Sequence, residues 1–191
     1  SIRQKHPQYW HVDGNFKVLI GNVEYKLHSY LFKKAKDFSG RDAGSLGWTG
    51  DPPVRLRETQ TDFDRFLSVL YPSDYAEHEC KTTEEWSSVL LLADKWKMDS
   101  IRRLAISQLA RCAEPVDKIA LGQQYGVTEW LAPAYVALCM RPAPITAAEG
   151  QKMGVDALVR IAALKDEVCA NLTEYLDQDK FCALFANQLA V

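Results

Sequence analysis

His28 offers the clearest opening for chemistry. It heads His28-Ser29-Tyr30-Leu31-Phe32, where strand-like alternation gives way to helical spacing. An imidazole works as a general base only beside a nucleophile or carboxylate within its reach. The flanking sequence shows no such converging group, so we read His28 as structural, a ring anchored by hydrogen bonds. Glu77-His78-Glu79-Cys80 gathers several zinc-ligand types in one loop. A closed zinc site takes three or four ligands with outer support, and no second His-Cys cluster completes the set, so this reads as a solvated loop. The glycines of residues 39–53 lack the Gly-x-x-x-x-Gly-Lys-Ser/Thr order that cradles phosphates, and Gly50-Asp51-Pro52-Pro53 is turn chemistry. No catalytic residue, cofactor site or metal site is assigned, and the chain is read as non-enzymatic.

The elements that position these residues begin with a β-hairpin. Phe16, Val18 and Ile20 alternate with Lys17 and Leu19; after Gly21-Asn22 the alternation resumes at Val23, Tyr25 and Leu27. Residues 39–53, with four glycines and two prolines, form a long loop, and Val54-Arg55-Leu56-Arg57 reads as a short strand. Phe63, Phe66, Leu67 and Leu70 then trace one helical stripe that Pro72 stops. Thr82-Thr83-Glu84-Glu85 is a capping box ahead of a face carrying Trp86, Val89, Leu90, Ala93 and Trp96. Asp99 is placed to cap a helix bearing Ile101, Leu104, Ala105 and Leu109.

The rest of the chain repeats this logic. Trp96, Met98, Ile101, Ala105 and Leu109 match Tyr125, Val127, Trp130, Ala134 and Leu138, 29 residues on. A weaker third copy, a further 28 residues on, surrounds Gly154 to Leu158 and puts Ala162 in the alanine place, with Asp99, Thr128 and Asp156 as equivalent caps. Pro133 would fall in the second turn of a helix capped by Thr128, so that helix should start later or kink. Thr146 to Glu149 is a second capping box and Gly154 suits a helix end. Leu158, Ile161, Ala162, Val168 and Leu172 trace a long helix, and Phe181, Leu184, Phe185 and Leu189 a final one.

Composition narrows the function. With 191 residues, 47% hydrophobic and 25% charged, the chain has ample material for a core. A net charge of −2 argues against nucleic-acid binding by counterion release. Apolar runs such as Val89 to Ala93 are too short to span a bilayer, and SIRQKHPQYW has no signal-peptide stretch. Cys80, Cys112, Cys139, Cys169 and Cys182 form no Cys-x-x-Cys pair and are odd in number, the pattern of reduced intracellular thiols in cytoplasm or nucleus. Trp86, Trp96 and Trp130 lie on helical stripes and read as core. Tyr9, Trp10 and Trp48 lie outside periodic segments and are candidate interface anchors, with packing into the fold the competing reading.

In the order of these elements, residues 1–112 resemble the BTB/POZ domain, especially its divergent fungal forms. The resemblance rests on Asp13 at the first strand, the hairpin, His28 to Phe32 opening a helix, FDRFLSVLYPSDY from Phe63, and the helix pair through LLLADKWKMDSIRRLAISQL. Residues 113–191 look like the BACK-like helical extension that often follows. The resemblance implies an α+β fold, a small mixed sheet capped by helices and followed by helical hairpins. It also implies homodimerisation and partner docking, with Asp13, Ser29 and Tyr30 joining Tyr9, Trp10 and Trp48 as interaction residues. Some family members recruit a cullin and serve as ubiquitin-ligase substrate adaptors. Two departures bear on this: Ser29 stands where the family's dimer pocket carries Lys or Arg, and no Glu lies between Tyr25 and Arg57, where the cullin-contact pattern belongs. Leu56-Arg57-Glu58 fits its letters but falls at a strand. The expectation is a homo-oligomeric docking module, with the cullin adaptor as the alternative.

Overall fold

The computed structural model describes residues 3–33, 35, 36, 38 and 52–170, and of 168–170 the backbone only. Trp48, most of the glycine-rich loop, Cys182, the side chain of Cys169 and the last expected helix lie outside the described residues. The fold is mixed α+β. Two compact units divide the chain, residues 1–108 and 109–191.

The first unit is built on a four-stranded sheet of β1 (Gln4–Trp10), β2 (Phe16–Ile20), β3 (Val23–Leu27) and β4 (Val54–Leu56), in the order β1-β3-β2-β4. The expected hairpin is β2 and β3, antiparallel with Phe16 opposite Leu27 and Val18 opposite Tyr25. Gly21 turns it at φ 60°, a left-handed value that a side chain resists. β4 pairs parallel with β2. The N-terminal strand was not expected, because residues 4–10 show no alternation. β1 nevertheless pairs parallel with β3 at Lys5 and again at Trp10, with an irregularity between. At a sheet edge, Pro7 and the break in register are tolerated because among the described residues no further strand needs their N–H groups.

Helices α1 (Gln60–Leu70), α2 (Thr83–Lys95) and α3 (Asp99–Cys112) follow a 3₁₀ turn at Ser29–Phe32 and the sheet. The side chain of Thr59 accepts from the Asp62 N–H to start α1, and the Thr82–Glu85 capping box starts α2 as expected. Phe63, Phe66 and Leu67 are fully buried. Trp96 sits at the centre of an aromatic core, its ring 4.7 Å from Phe38 and 5.0 Å from Phe66. Phe38 and Phe32 carry that core on to Phe16.

In the second unit, α4 (Pro115–Tyr125), α5 (Leu131–Met140), α6 (Ala147–Met153) and α7 (Val155–Ala170) bury Val116, Ile119, Tyr135, Leu138, Met153 and Ile161 together. Thr128–Trp130 forms a 3₁₀ turn, and α5 begins after it. Pro133 therefore lies in the first turn of α5, where its missing N–H costs nothing.

The repeat has a backbone signature. Lys97, Gly126 and Gly154, at equivalent places, take φ values of 53°, 67° and 87°. None of the three expected caps holds its place: Asp99 is inside α3, Thr128 caps nothing through its side chain, and Asp156 is inside α7. The third copy is also out of phase. Gly154 has ψ 165° where Gly126 has 32°, so the chain enters α7 one residue early. One residue is about 100° of helix. Ala157, Ile161 and Leu164 turn inward, and Ala162, expected in the core, is exposed.

Candidate functional site

Between β1 and β2 the chain reverses in a tight turn, Gly14 N–H donating to the His11 carbonyl at 3.1 Å. A Cβ on Gly14 would meet the Leu27 carbonyl oxygen at 2.9 Å, so only glycine lets the turn lie this close to β3. From β3, the Lys26 ammonium donates to the Val12 carbonyl. Asn15 and Ser29 lock the other side reciprocally, Asn15 Nδ2 donating to Ser29 Oγ (3.0 Å) and the Ser29 N–H to Asn15 Oδ1 (2.9 Å). The turn that results is tied on both sides, yet its tip Val12 is 89% exposed, and Tyr30, whose ring lies 5.9 Å from that of His28, is 62% exposed.

Behind that tip lies a group of rings. His28 donates its backbone N–H to Tyr71 Oη (2.8 Å), and its Nδ1 lies 3.1 Å from the same oxygen. Its Nε2 is 3.2 Å from Asp13 Oδ1. Both ring nitrogens thus face a partner, Nδ1 the Tyr71 hydroxyl and Nε2 the Asp13 carboxylate. With both nitrogens engaged by residues of the fold, neither is open to a substrate proton. The hydrogen bond from His28 holds the Asp13 carboxyl below the usual carboxylate range. Burial pushes the Tyr71 phenol up to about 12, against the opposing pull of the His28 N–H. His11 stacks on Tyr71 with centroids 4.6 Å apart and lies 5.1 Å from the His28 ring. Burial first, then the proximity of His28, lowers its pKa.

A second group pins β1. His6 Nδ1 accepts from the N–H groups of Gln8 and Tyr9, so Nε2 carries the proton that faces Asp64 Oδ2 at 3.3 Å. Asp64, on α1, also accepts from the Tyr25 hydroxyl at 2.9 Å. The His6 ring stacks against both Tyr9 and Tyr25. Burial raises both phenol pKa values, and for Tyr25 the Asp64 hydrogen bond adds to the effect.

The six residues singled out from sequence fall into different settings. Asp13 and Tyr30 are exposed at the turn, with Ser29 buried beneath them. Tyr9 is core, only 3% exposed, because the irregularity in β1 turns it inward. Trp10 is half-buried with the Lys5 ammonium over its ring. Trp48 lies outside the described residues. His6, His11, Tyr71 and Asp64 were missed; the density of His, Tyr and Trp in HPQYWH was the available signal.

The loop from Glu77 to Cys80 disperses its side chains. Glu77 pairs with Lys81, His78 meets the edge of Trp86, Glu79 accepts from the Ser73 N–H, and Cys80 is buried against Ser68. Among the described residues no group of three or more His, Cys, Asp or Glu is arranged to hold a metal ion. Leu56 is buried and Glu58 pairs with Lys95, so the letters of the cullin pattern there are engaged within the fold. Among the described residues no helix is long and apolar enough to cross a membrane. No family model matches the chain, and no curated protein matches it either.

Proposed function

We propose that this chain is a non-enzymatic protein-interaction module that self-associates and recruits a protein partner through the surface around Val12, Asp13 and Tyr30. One observation carries the reading: two large apolar side chains stand exposed beside a carboxylate, on a turn held by Gly14, Lys26 and Asn15. Rigid backbone under exposed apolar groups keeps the ordering cost of binding low. The occupied nitrogens of His28 support docking over turnover. The BTB/POZ resemblance assigns the same region, first strand and first helix, to homodimerisation. The proposed partners are proteins, with no nucleic acid, membrane or cofactor, in a reducing intracellular compartment that suits the free thiols of Cys80 and Cys139.

A specific dimer should bury about 1,200 Å² or more. Light scattering and sedimentation velocity at high micromolar concentration should show a dimer that Val12→Asp and Tyr30→Ala weaken. A wild-type chain that stays monomeric would remove self-association. A pull-down with a cullin N-terminal region tests the adaptor alternative; with Leu56 and Glu58 engaged in the fold, we expect no capture through those residues.

A further inference from the structure

We infer that His11 is a proton-sensitive latch on the Val12–Tyr30 surface: neutral, it seats the turn against Tyr71, and protonated, it frees the turn and weakens self-association. The effect on association rests on the interaction reading above; the latch itself rests on geometry. His11 begins the turn, its carbonyl accepting from Gly14 N–H and its own N–H donating to the Lys26 carbonyl. Its ring lies on Tyr71, and its Nε2 is buried with no hydrogen-bond partner among the described residues. A neutral ring leaves one polar atom unmet there. A protonated ring would place a charged donor at that atom, a much larger desolvation cost.

The surrounding groups decide the sign. From the end of α1 comes Tyr71, whose phenol stays neutral far above physiological pH. From the 3₁₀ turn and the residue before it come Tyr30 and His28, the latter ring 5.1 Å away. β3 contributes Lys26, a cation on the neighbouring carbonyl. Asp13 is the anion in this set, and its Oδ1 already faces His28 Nε2. Asp13 is therefore engaged by His28 and not by His11, and burial together with the nearby His28 outweighs the attraction of Asp13 for a proton on His11. A histidine whose folded pKa lies below its unfolded value favours the seated state above about pH 6.5 and loses that contribution as pH falls through the lowered value. Acidification thus lifts the turn that presents Val12.

The test is imidazole and amide NMR on the full chain with labelled histidine, from pH 8 to 5, beside sedimentation velocity at the same pH values. We expect the His11 ring to titrate below the ordinary histidine midpoint and the amides of Val12, Asp13 and Gly14 to follow it. The dimer dissociation constant should rise on acidification, by about tenfold per protomer, and so about a hundredfold for the dimer, for each unit by which association lowers the midpoint. His11→Phe keeps the stack on Tyr71 without a titrating nitrogen, and its association should lose this pH dependence. The inference is overturned if His11 titrates at or above its ordinary value, if the turn amides ignore it, or if His11→Phe keeps the wild-type profile. Should His11→Phe fail to fold, the wild-type titration decides alone. If His11 and the turn titrate together but no dimer forms at any pH, the latch stands, and both its control of association and the interaction reading fall.

Discussion

Replacing Asp64 by Ala should destabilise the first unit far more than an ordinary surface change. Its carboxylate accepts from the hydroxyl of Tyr25, a residue with no exposed surface, at 2.9 Å, and from His6 at 3.3 Å. Stranding the buried hydroxyl costs about 1–3 kcal/mol. The His6 contact is longer and the carboxylate is 36% exposed, so it adds about 0–1 kcal/mol. The sum, about 1–4 kcal/mol, corresponds to a midpoint lowered by roughly 4–8 °C for each kcal/mol in a unit of this size. Thermal melts followed by near-UV circular dichroism would read it through the tyrosines and through Trp86 and Trp96. Asp64→Asn keeps an acceptor for Tyr25 and should cost less. The decisive comparison is a double-mutant cycle with Tyr25→Phe. With the hydroxyl gone there is nothing to strand, so the double variant should be more stable than the sum of the singles by about 1 kcal/mol. Additivity within about 0.4 kcal/mol would refute the claim that Asp64 works through Tyr25.

Three further outcomes follow from the backbone and the helical unit. Lys97→Gly should stabilise the chain by about 0.5–1 kcal/mol in denaturant melts, because Lys97 holds a left-handed φ that the equivalent positions give to glycine. Gly14→Ala should cost about 1–3 kcal/mol, since its methyl meets backbone atoms of Lys26 and Leu27 that cannot step aside, and amide exchange should rise in β3. Glu149, bonded twice by Arg141 and capping at Thr146, has its pKa lowered to about 2. Its contribution to stability is complete above the ordinary carboxyl value and fades as pH falls toward 2; carboxyl carbon NMR should place its midpoint there, and Arg141→Ala should move it up.

Most of the fold could be read from side-chain period. The hairpin, α1, both capping boxes and the late start of α5 follow from alternation, from helical stripes, and from Thr and Pro at fixed offsets, all local relations. β1 escaped because one inward residue among seven makes no pattern. The phase of α7 escaped because a single backbone angle at Gly154 sets it, and glycine's freedom leaves that angle unspecified by sequence. The candidate site was only half legible. Asp13, Ser29 and Tyr30 came from local context and resemblance, whereas Tyr71 meets His28 from 43 residues away and Asp64 meets His6 from 58.

What the residues alone determined is an α+β chain with a hairpin start and a helical remainder, because secondary structure answers to neighbours one to four positions apart. Which rings share a stack, which imidazole keeps a free nitrogen and which apolar side chains stay in water were decided only on folding. Those properties depend on distances between segments far apart in the chain, and no period along the sequence encodes them.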